Sequence, residues 1–461
     1  MPPGWFERVL ISSKETLREG GLHGWIAVLA LFASSAAWAA ITKGLGMLLP
    51  TLQEQFVTST WLIGWMVAFV DAAAQLSAII ATPLKERFGA RTVLTVSGLV
   101  AGISMITASL QPNLYALTFI LTLTGSAIGI PYVITKHLVG SYFTKSVGTA
   151  YGLGTLGASF ALVTIVPLIK LFLDTYGWRG TMLLLGGVFL HLAVIGALVK
   201  PPAASRSQDG YEAALTDEEQ ETGEDNVKPS NRSGCSCFTT VYSFTRDTFK
   251  LGLFSSISFW LVLFVYTVTE MTNCAWLIYY VQYTTVSKGF TLEDASHFIV
   301  AFGIGRAISS IVIGPLVQAV KVVSATIWFA VVLLLITVYF AVDPWLTSYW
   351  PIITNSLFYG IVLSSHFILL NVVIKDSFGK EQMGHVLGWL GVASGSSMLL
   401  LLYFPGLIYD LTGDYRVAFG LMAGVQSLTV FSVLSLHWRQ KHYPRHPSRQ
   451  HNLDRTTYFQ R

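Results

Sequence analysis

The sequence predicts an all-α membrane protein of twelve transmembrane helices in two groups of six. Composition is the first reason. Of 461 residues, 53% are hydrophobic and only 12% charged, against about 25% charged in soluble chains. So few polar side chains cannot coat a soluble protein of this size, and much of the surface must face lipid. The second reason is a set of twelve apolar stretches split six and six by a hydrophilic segment. The third is a one-sided distribution of Lys and Arg. Composition excludes a secreted disulfide scaffold, a cytosolic enzyme and a disordered regulator. Three Cys cannot organise the fold through disulfides. The net charge of +4 is small and unevenly placed, so nucleic-acid binding is not indicated.

A bilayer core about 30 Å thick needs roughly 20 apolar residues at 1.5 Å rise each. Breaking the chain at charges, Pro and Gly-polar clusters gives spans at 25–49, 60–82, 92–110, 114–135, 147–172 and 180–199. Six more follow at 252–283, 296–319, 323–342, 349–374, 384–408 and 415–437. The expected organisation is a tail over 1–24, a bundle over 25–199 and a linker over 200–250. A second bundle over 251–437 and a basic tail over 438–461 complete it.

Lys and Arg orient the spans. With the N-terminus in the cytosol, 23 of the 29 fall inside, including Lys85, Arg87, Arg91, Lys136, Lys145 and six in each of the linker and the C-terminal tail. Arg179, Lys288 and Arg416 fall outside, and Lys43, Lys170 and Arg306 lie within spans. Both termini and the linker are therefore expected in the cytosol. Residues 1–20 lack a long apolar core, so no signal peptide is expected. The basic C-terminal tail would sit against anionic inner-leaflet lipid.

The linker is rich in acid, from Asp209 to Asp225, and its composition cannot bury a core. A solvated connector or a regulatory segment both fit. The sequon Asn231-Arg232-Ser233 would not meet the glycosylation machinery on the cytosolic side. Cys235 and Cys237 lack a second pair to complete a four-ligand metal site, and lipidation is the plainer reading.

After span 2 the chain reads Pro83-Leu84-Lys85-Glu86-Arg87-Phe88-Gly89-Ala90-Arg91. This resembles the cytosolic loop motif of the major facilitator superfamily, and Glu86, Arg87 and Arg91 are its conformational candidates. A short loop must turn there, and its charges can pair across the gap between bundles in one conformation. The equivalent stretch after span 8, Gly314-Pro315-Leu316-Val317-Gln318-Ala319, keeps the turn residues without the charges, as a decayed repeat would. Within the superfamily, Glu19-Gly20-Gly21-Leu22-His23-Gly24-Trp25 resembles the signature that opens span 1 of monocarboxylate transporters. Tyr142-Phe143-Thr144-Lys145 with Ala150, Gly152 and Gly157 resembles that family's span 5 signature. Tyr176-Gly177-Trp178-Arg179-Gly180 is similar to its approach to span 6, and Tyr409-Asp410-Leu411-Thr412-Gly413-Asp414-Tyr415 to its turn before span 12. Leu22-His23 and Ser146-Val147 depart from the pattern, so the chain is identified as a divergent member. The resemblance implies a major facilitator fold, two six-helix halves around a central cavity. It also implies a small carboxylate substrate, the plasma membrane and a single-pass immunoglobulin-like escort protein.

A charge at mid-membrane costs several kcal/mol, so each one is a functional candidate. Lys43 lies about 27 Å along span 1 from Trp25. It matches the family's span 1 Lys, which engages the substrate anion, and Arg306 resembles the family's span 8 Arg. A guanidinium can hold a carboxylate by two parallel hydrogen bonds, whereas an ammonium acts as a point charge. Proton-coupled members carry an Asp one turn before that Arg, where this chain has Phe302. Asp71 and Glu270 are additional acids outside the family pattern. They are candidates for proton binding, for receiving the ammonium of a zwitterionic substrate, or for pairing with Lys43 and Arg306. His366, beside Ser364 and Ser365, is a further binding candidate that could titrate near neutrality. Tyr132 and Trp389 could shape an apolar wall, while His191 reads more as packing. The glycines at 148, 152, 154 and 157 would let span 5 approach a neighbour closely.

The functional expectation is a secondary transporter moving a small monocarboxylate or carboxylate-bearing zwitterion by alternating access, through proton symport or facilitated diffusion. No bond is made or broken, so neither enzyme activity nor a cofactor is expected, and no nucleotide motif suggests primary active transport. The alternative from another class is a non-transporting sensor that signals through the linker.

Overall fold

In a computed structural model the chain is described over residues 19–56, 60–200, 250–319, 324–401 and 404–442. The readings made above for most of the linker, including its sequon and Cys235 and Cys237, and for most of both tails lie outside these residues. Among the described residues the fold is helical. The first half comprises α1 (Gly21–Phe56), α2 (Thr60–Leu76), α3 (Ala78–Phe88), α4 (Ala90–Ala108), α5 (Leu114–Tyr142), α6 (Val147–Phe160) and α7 (Val166–Leu198). The second comprises α8 (Ile257–Gln282), α9 (Leu292–Ala319), α10 (Ala325–Val342), α11 (Tyr349–Leu401), α12 (Phe404–Thr412) and α13 (Tyr415–His442).

Local chemistry sets several helix ends. The Asn113 side chain accepts from the Tyr115 N–H at 2.9 Å and caps α5. The Ser324 side chain caps α10 in the same way. Gly177 breaks α7 with φ 68°, a left-handed value that glycine adopts without steric cost.

Ten of the described helices are long and apolar enough to cross a bilayer, and eleven when α2 and α3 count as one bent span. The sequence predicts twelve. The difference lies in the 61-residue run Tyr349–Tyr409, which the sequence divides into spans ten and eleven. Of this run α11 alone (Tyr349–Leu401) has 53 residues, roughly 80 Å at about 1.5 Å each, too long for one crossing. Gly379, with φ 78°, breaks its helix near the expected boundary. The second span is bent by 43° between Leu76 and Ala78. There the Ser77 hydroxyl donates to the carbonyls of Ala74 and Ser126, a back-bonding that bends helices.

One span boundary is corrected with consequences for function. The sequence ends span 4 at residue 135 and puts Lys136 in a cytosolic loop. The helix α5 instead runs to Tyr142, so Lys136 lies inside it and is only 6% exposed. The helix continues through Gly140 and Ser141 and ends only at Phe143, whose backbone is extended.

Within the first half α1 packs on α5 and α6, and α4 packs on α5 and α7. Within the second, α9 packs on α11, and α10 on α11 and α13. The halves meet along α6 against α9, and along α2 and α3 against α11. Glycines make these seams tight, as the span 5 pattern led us to expect. A Cβ at Gly152 would strike the Ser310 carbonyl of α9, and one at Gly391 would lie 2.5 Å from the Gln75 carbonyl of α2. Large apolar side chains such as Phe119, Ile311, Leu334 and Phe431 face outward, where lipid would cover them.

The span 1 and span 5 signatures dock on one another. Glu19 Oε1 accepts from the Thr144 N–H at 2.7 Å, the Thr144 hydroxyl at 2.6 Å and the Lys145 N–H at 2.6 Å. Its Oε2 accepts from the Ser146 N–H at 2.8 Å. The carboxylate thus caps the N-terminus of α6, where the helix dipole favours negative charge. Partial burial pushes its pKa up, but these hydrogen bonds outweigh that and hold it at about 2. Trp25 meets the Phe143 ring edge-on at 5.7 Å, and Gly20 leaves room for that ring.

In the second half, Lys288 Nζ lies 3.1 Å from Asp343 Oδ2, with both side chains almost wholly buried. Tyr280 Oη and Asn355 Nδ2 each donate to Asp343 Oδ1 at 3.1 Å. An aromatic stack lies beside this network: the Trp276 indole donates to Tyr339 Oη at 2.6 Å, and Tyr339 stacks on Tyr359 at 4.1 Å.

Two outcomes follow for stability in detergent. Because Glu19 has a depressed pKa, its contribution is complete above about pH 4.5 and is lost as pH falls toward 2. Glu19→Ala should lower stability at pH 7 by about 1 kcal/mol, as loss of a helix cap does, and flatten that acid limb in thermal melts across pH. Asp343→Ala should cost on the order of 3–5 kcal/mol by stranding Lys288. Replacing both Lys288 and Asp343 with apolar residues should cost less than that single change, which paired unfolding curves would resolve.

Candidate functional site

A cavity of about 120 Å³ lies between the halves, and elements from both line it. The first half presents Ser35, Trp38 and Thr42 from α1, Asp71 and Gln75 from α2, and Tyr132 and Lys136 from α5. The second presents Tyr266, Glu270, Asn273, Cys274 and Leu277 from α8, Arg306 from α9, and Ser364 and Phe367 from α11.

Helical spacing explains the grouping. Asp71 and Gln75 are four residues apart, as are Tyr132 and Lys136, so each pair shares a face. Tyr266, Glu270, Asn273 and Leu277 form one ladder along α8 by the same rule. The bend after Leu76 follows directly upon the face that carries Asp71 and Gln75.

Three of the expected site residues are therefore brought together: Asp71, Glu270 and Arg306. Lys43 belongs to α1 next to Thr42, and its side chain lies outside the described residues. His366 is not among the residues that line the cavity, which corrects its expected place. It is fully buried, against Phe329 at 5.2 Å and Phe367 at 5.2 Å, and neither ring nitrogen has a hydrogen-bond partner. The helical turn places its neighbours Ser364 and Phe367 on the cavity face and its own ring on the α10 side. Tyr132 joins the cavity wall as expected, with Trp38 at 5.1 Å. Trp389 instead packs edge-on against Phe254 at 4.7 Å.

Sequence reasoning missed Lys136. Its Nζ sits 4.0 Å above the Tyr132 ring, a cation–π contact in which the aromatic face substitutes for part of the lost hydration. The usable signal was its spacing of four residues from Tyr132, which puts both on one helix face. Gln75 and Asn273 were also missed, although each lies three or four residues from an intramembrane acid.

Glu270 is held by an amide and not by a cation of the described cavity wall. Gln75 Nε2 donates to Glu270 Oε1 at 3.4 Å, linking the halves at the cavity. Among the described residues Glu270 makes no ion pair within 4 Å of Arg306 or Lys136. Glu270 Oε2, Asn273 Oδ1 and Arg306 Nε are buried without a hydrogen-bond partner. Such atoms are costly to leave unsatisfied, so they are suited to a polar solute. Phe302 is fully buried against Trp276 at 4.6 Å and Tyr359 at 5.5 Å. The Arg306 guanidinium lies 5.8 Å from the Phe302 ring centroid.

One end of the cavity is closed by contacts between the halves. His385 Nε2 lies 3.3 Å from Glu86 Oε1. Lys85 Nζ contacts His137 Nδ1 at 3.1 Å, and His137 Nε2 contacts the Lys380 carbonyl at 3.1 Å. Lys375 Nζ donates to the Phe143 carbonyl, and Lys380 Nζ to that of Ser141 at 3.4 Å. Of the loop-motif candidates, Glu86 bridges the halves. Arg87 lies over its neighbour Phe88 at 5.7 Å, and Arg91 is exposed. Lys85 contributes to the closure through His137, a role the sequence did not suggest.

The comparisons with known proteins agree with this architecture. The model of the Major Facilitator Superfamily matches residues 26–283 and 259–457. The chain is 25% identical to monocarboxylate transporter 12 of Xenopus laevis, over 92% of this chain and 90% of that protein. It is 24% identical to monocarboxylate transporter 2 of Mus musculus, over 87% of this chain and 81% of that one. Among solved structures it resembles the proton:xylose symporter XylE with a TM-score of 0.63 at 12% identity, covering 92% of this chain and 97% of that one. It resembles the E. coli fucose:proton symporter FucP with a TM-score of 0.63 at 14% identity, covering 90% and 99%. The chain thus belongs to the major facilitator superfamily, and within it to the monocarboxylate transporter family as a divergent member.

Proposed function

We propose that this transporter moves a small carboxylate-bearing solute across the plasma membrane by alternating access. The observation that carries the reading is Arg306, whose buried Nε has no hydrogen-bond partner, lining a cavity shared by both halves. A guanidinium binds a carboxylate in a planar fork, and low dielectric around it strengthens that bond. Lys136 supplies a cation from the opposite half, and Lys43 is a second candidate for that role through the family resemblance. Closing both halves on one anion would favour the occluded form over either open form.

The end bearing Glu86 and His385 is the cytosolic end in the orientation set by the Lys and Arg count. Opening there requires the Glu86–His385, His137–Lys380 and Lys375–Phe143 contacts to break, while the glycine seams let α6 and α11 rock against their partners. Phe302 rules out the family's usual proton site, so Asp71 and Glu270 are the carboxylates left to carry a proton. Facilitated diffusion needs neither. The single-pass immunoglobulin-like escort remains part of the proposal through the family resemblance.

Purified protein in liposomes should take up labelled small carboxylates without any partner, and Arg306→Ala should reduce uptake at least tenfold. Ligand binding without flux would instead favour the sensor reading. Lys136→Ala and Lys43→Ala, measured side by side, identify which cation serves the first half. An inward proton gradient that leaves uptake unchanged would remove Asp71 and Glu270 as proton carriers. Cys274 lines the cavity and serves as a native probe once Cys235 and Cys237 are replaced by Ser. Glu86→Ala combined with His385→Ala should raise its labelling by a membrane-impermeant thiol reagent from the cytosolic side. Unchanged labelling would show that these contacts do not hold that end shut.

A further inference from the structure

We propose that the carried solute is a zwitterion whose cationic end bears N–H groups, a primary ammonium or a guanidinium, received by Glu270 and Asn273 while Arg306 takes the carboxylate. This deepens the preceding reading and rests on it.

The unpartnered atoms of the cavity come in two kinds. Glu270 Oε2 and Asn273 Oδ1 are acceptors, and Arg306 Nε is a donor. All three residues line the same cavity. Glu270 and Asn273 are three residues apart on α8, so both acceptors project from one helix face. A plain monocarboxylate can satisfy Arg306, but its oxygens offer no hydrogen to either acceptor. A quaternary ammonium carries charge but no N–H, and would leave both acceptors unmade. An ammonium or guanidinium offers several N–H donors at once.

The surroundings of Glu270 point the same way. Among the described residues the cavity holds two acids, Asp71 and Glu270, and two bases, Lys136 and Arg306. Neither Lys136 nor Arg306 neutralises Glu270 by direct contact. Gln75 holds its other oxygen at 3.4 Å, which leaves Oε2 for a ligand. Trp38, Tyr132 and Tyr266 supply walls suited to a cation and a short carbon chain.

The test uses the full chain in liposomes and four labelled probes of similar size: alanine, guanidinoacetate, propionate and trimethylglycine. Uptake of alanine or guanidinoacetate should exceed that of propionate and trimethylglycine by tenfold or more. Glu270→Gln, nearly isosteric, should erase that preference, and Asn273→Ala should reduce it severalfold. Equal or better uptake of propionate or trimethylglycine by the unmodified protein overturns the zwitterion assignment but leaves carboxylate transport standing. Uptake of none of the four overturns both. The comparison of probes on the unmodified protein decides the matter even if a variant fails to fold.

Discussion

A charged side chain within the hydrocarbon layer must be compensated, and the organisation of this transporter follows from that constraint. Asp71, Lys136, Glu270 and Arg306 sit on four different helices, yet all line one cavity between the halves. None could be held against lipid at tolerable cost. Gathering them creates a polar site in the interior and also ties the two halves to a common centre. The rest of the fold supplies the shape: a bent second span, a ladder of polar residues on α8 and a long α5 that reaches inward with Tyr132 and Lys136.

A second set of interactions governs the closed end. Glu19 caps α6 from the segment preceding α1, so the two family signatures fix one corner of the first half. The second half docks on that corner, because Lys375 donates to the carbonyl of Phe143, the same residue whose ring meets Trp25. Glu86 and His385 add a pair across the gap. Backbone carbonyls and charged tips can separate and reform without repacking apolar cores, which suits an interface that opens in the proposed alternating access. The glycine seams at Gly152 and Gly391 act with them, since backbone-to-backbone packing presents smooth surfaces for rocking.

Phe302 shows how one substitution changes the options of a site. An acid beside Arg306 would be a natural proton carrier. Phe302 instead lies in an aromatic cluster with Trp276 and Tyr359. The carboxylates that line the cavity are Glu270 on α8 and Asp71 on α2.

The sequence by itself determined the membrane class, the place of most of the apolar helices and the family, because hydropathy and short signatures are local properties. It also marked Asp71, Glu270 and Arg306, since an ionisable residue in an apolar run is conspicuous wherever it stands. Only the tertiary structure decided which of the marked residues meet. It turned His366 away into packing with Phe329 and Phe367, and it moved Lys136 from an expected loop into the cavity. It also revealed that Glu86, and neither Arg87 nor Arg91, bridges the halves. Which face of a helix looks inward depends on crossing angles and on neighbours far away in the chain, and no single stretch of sequence encodes those.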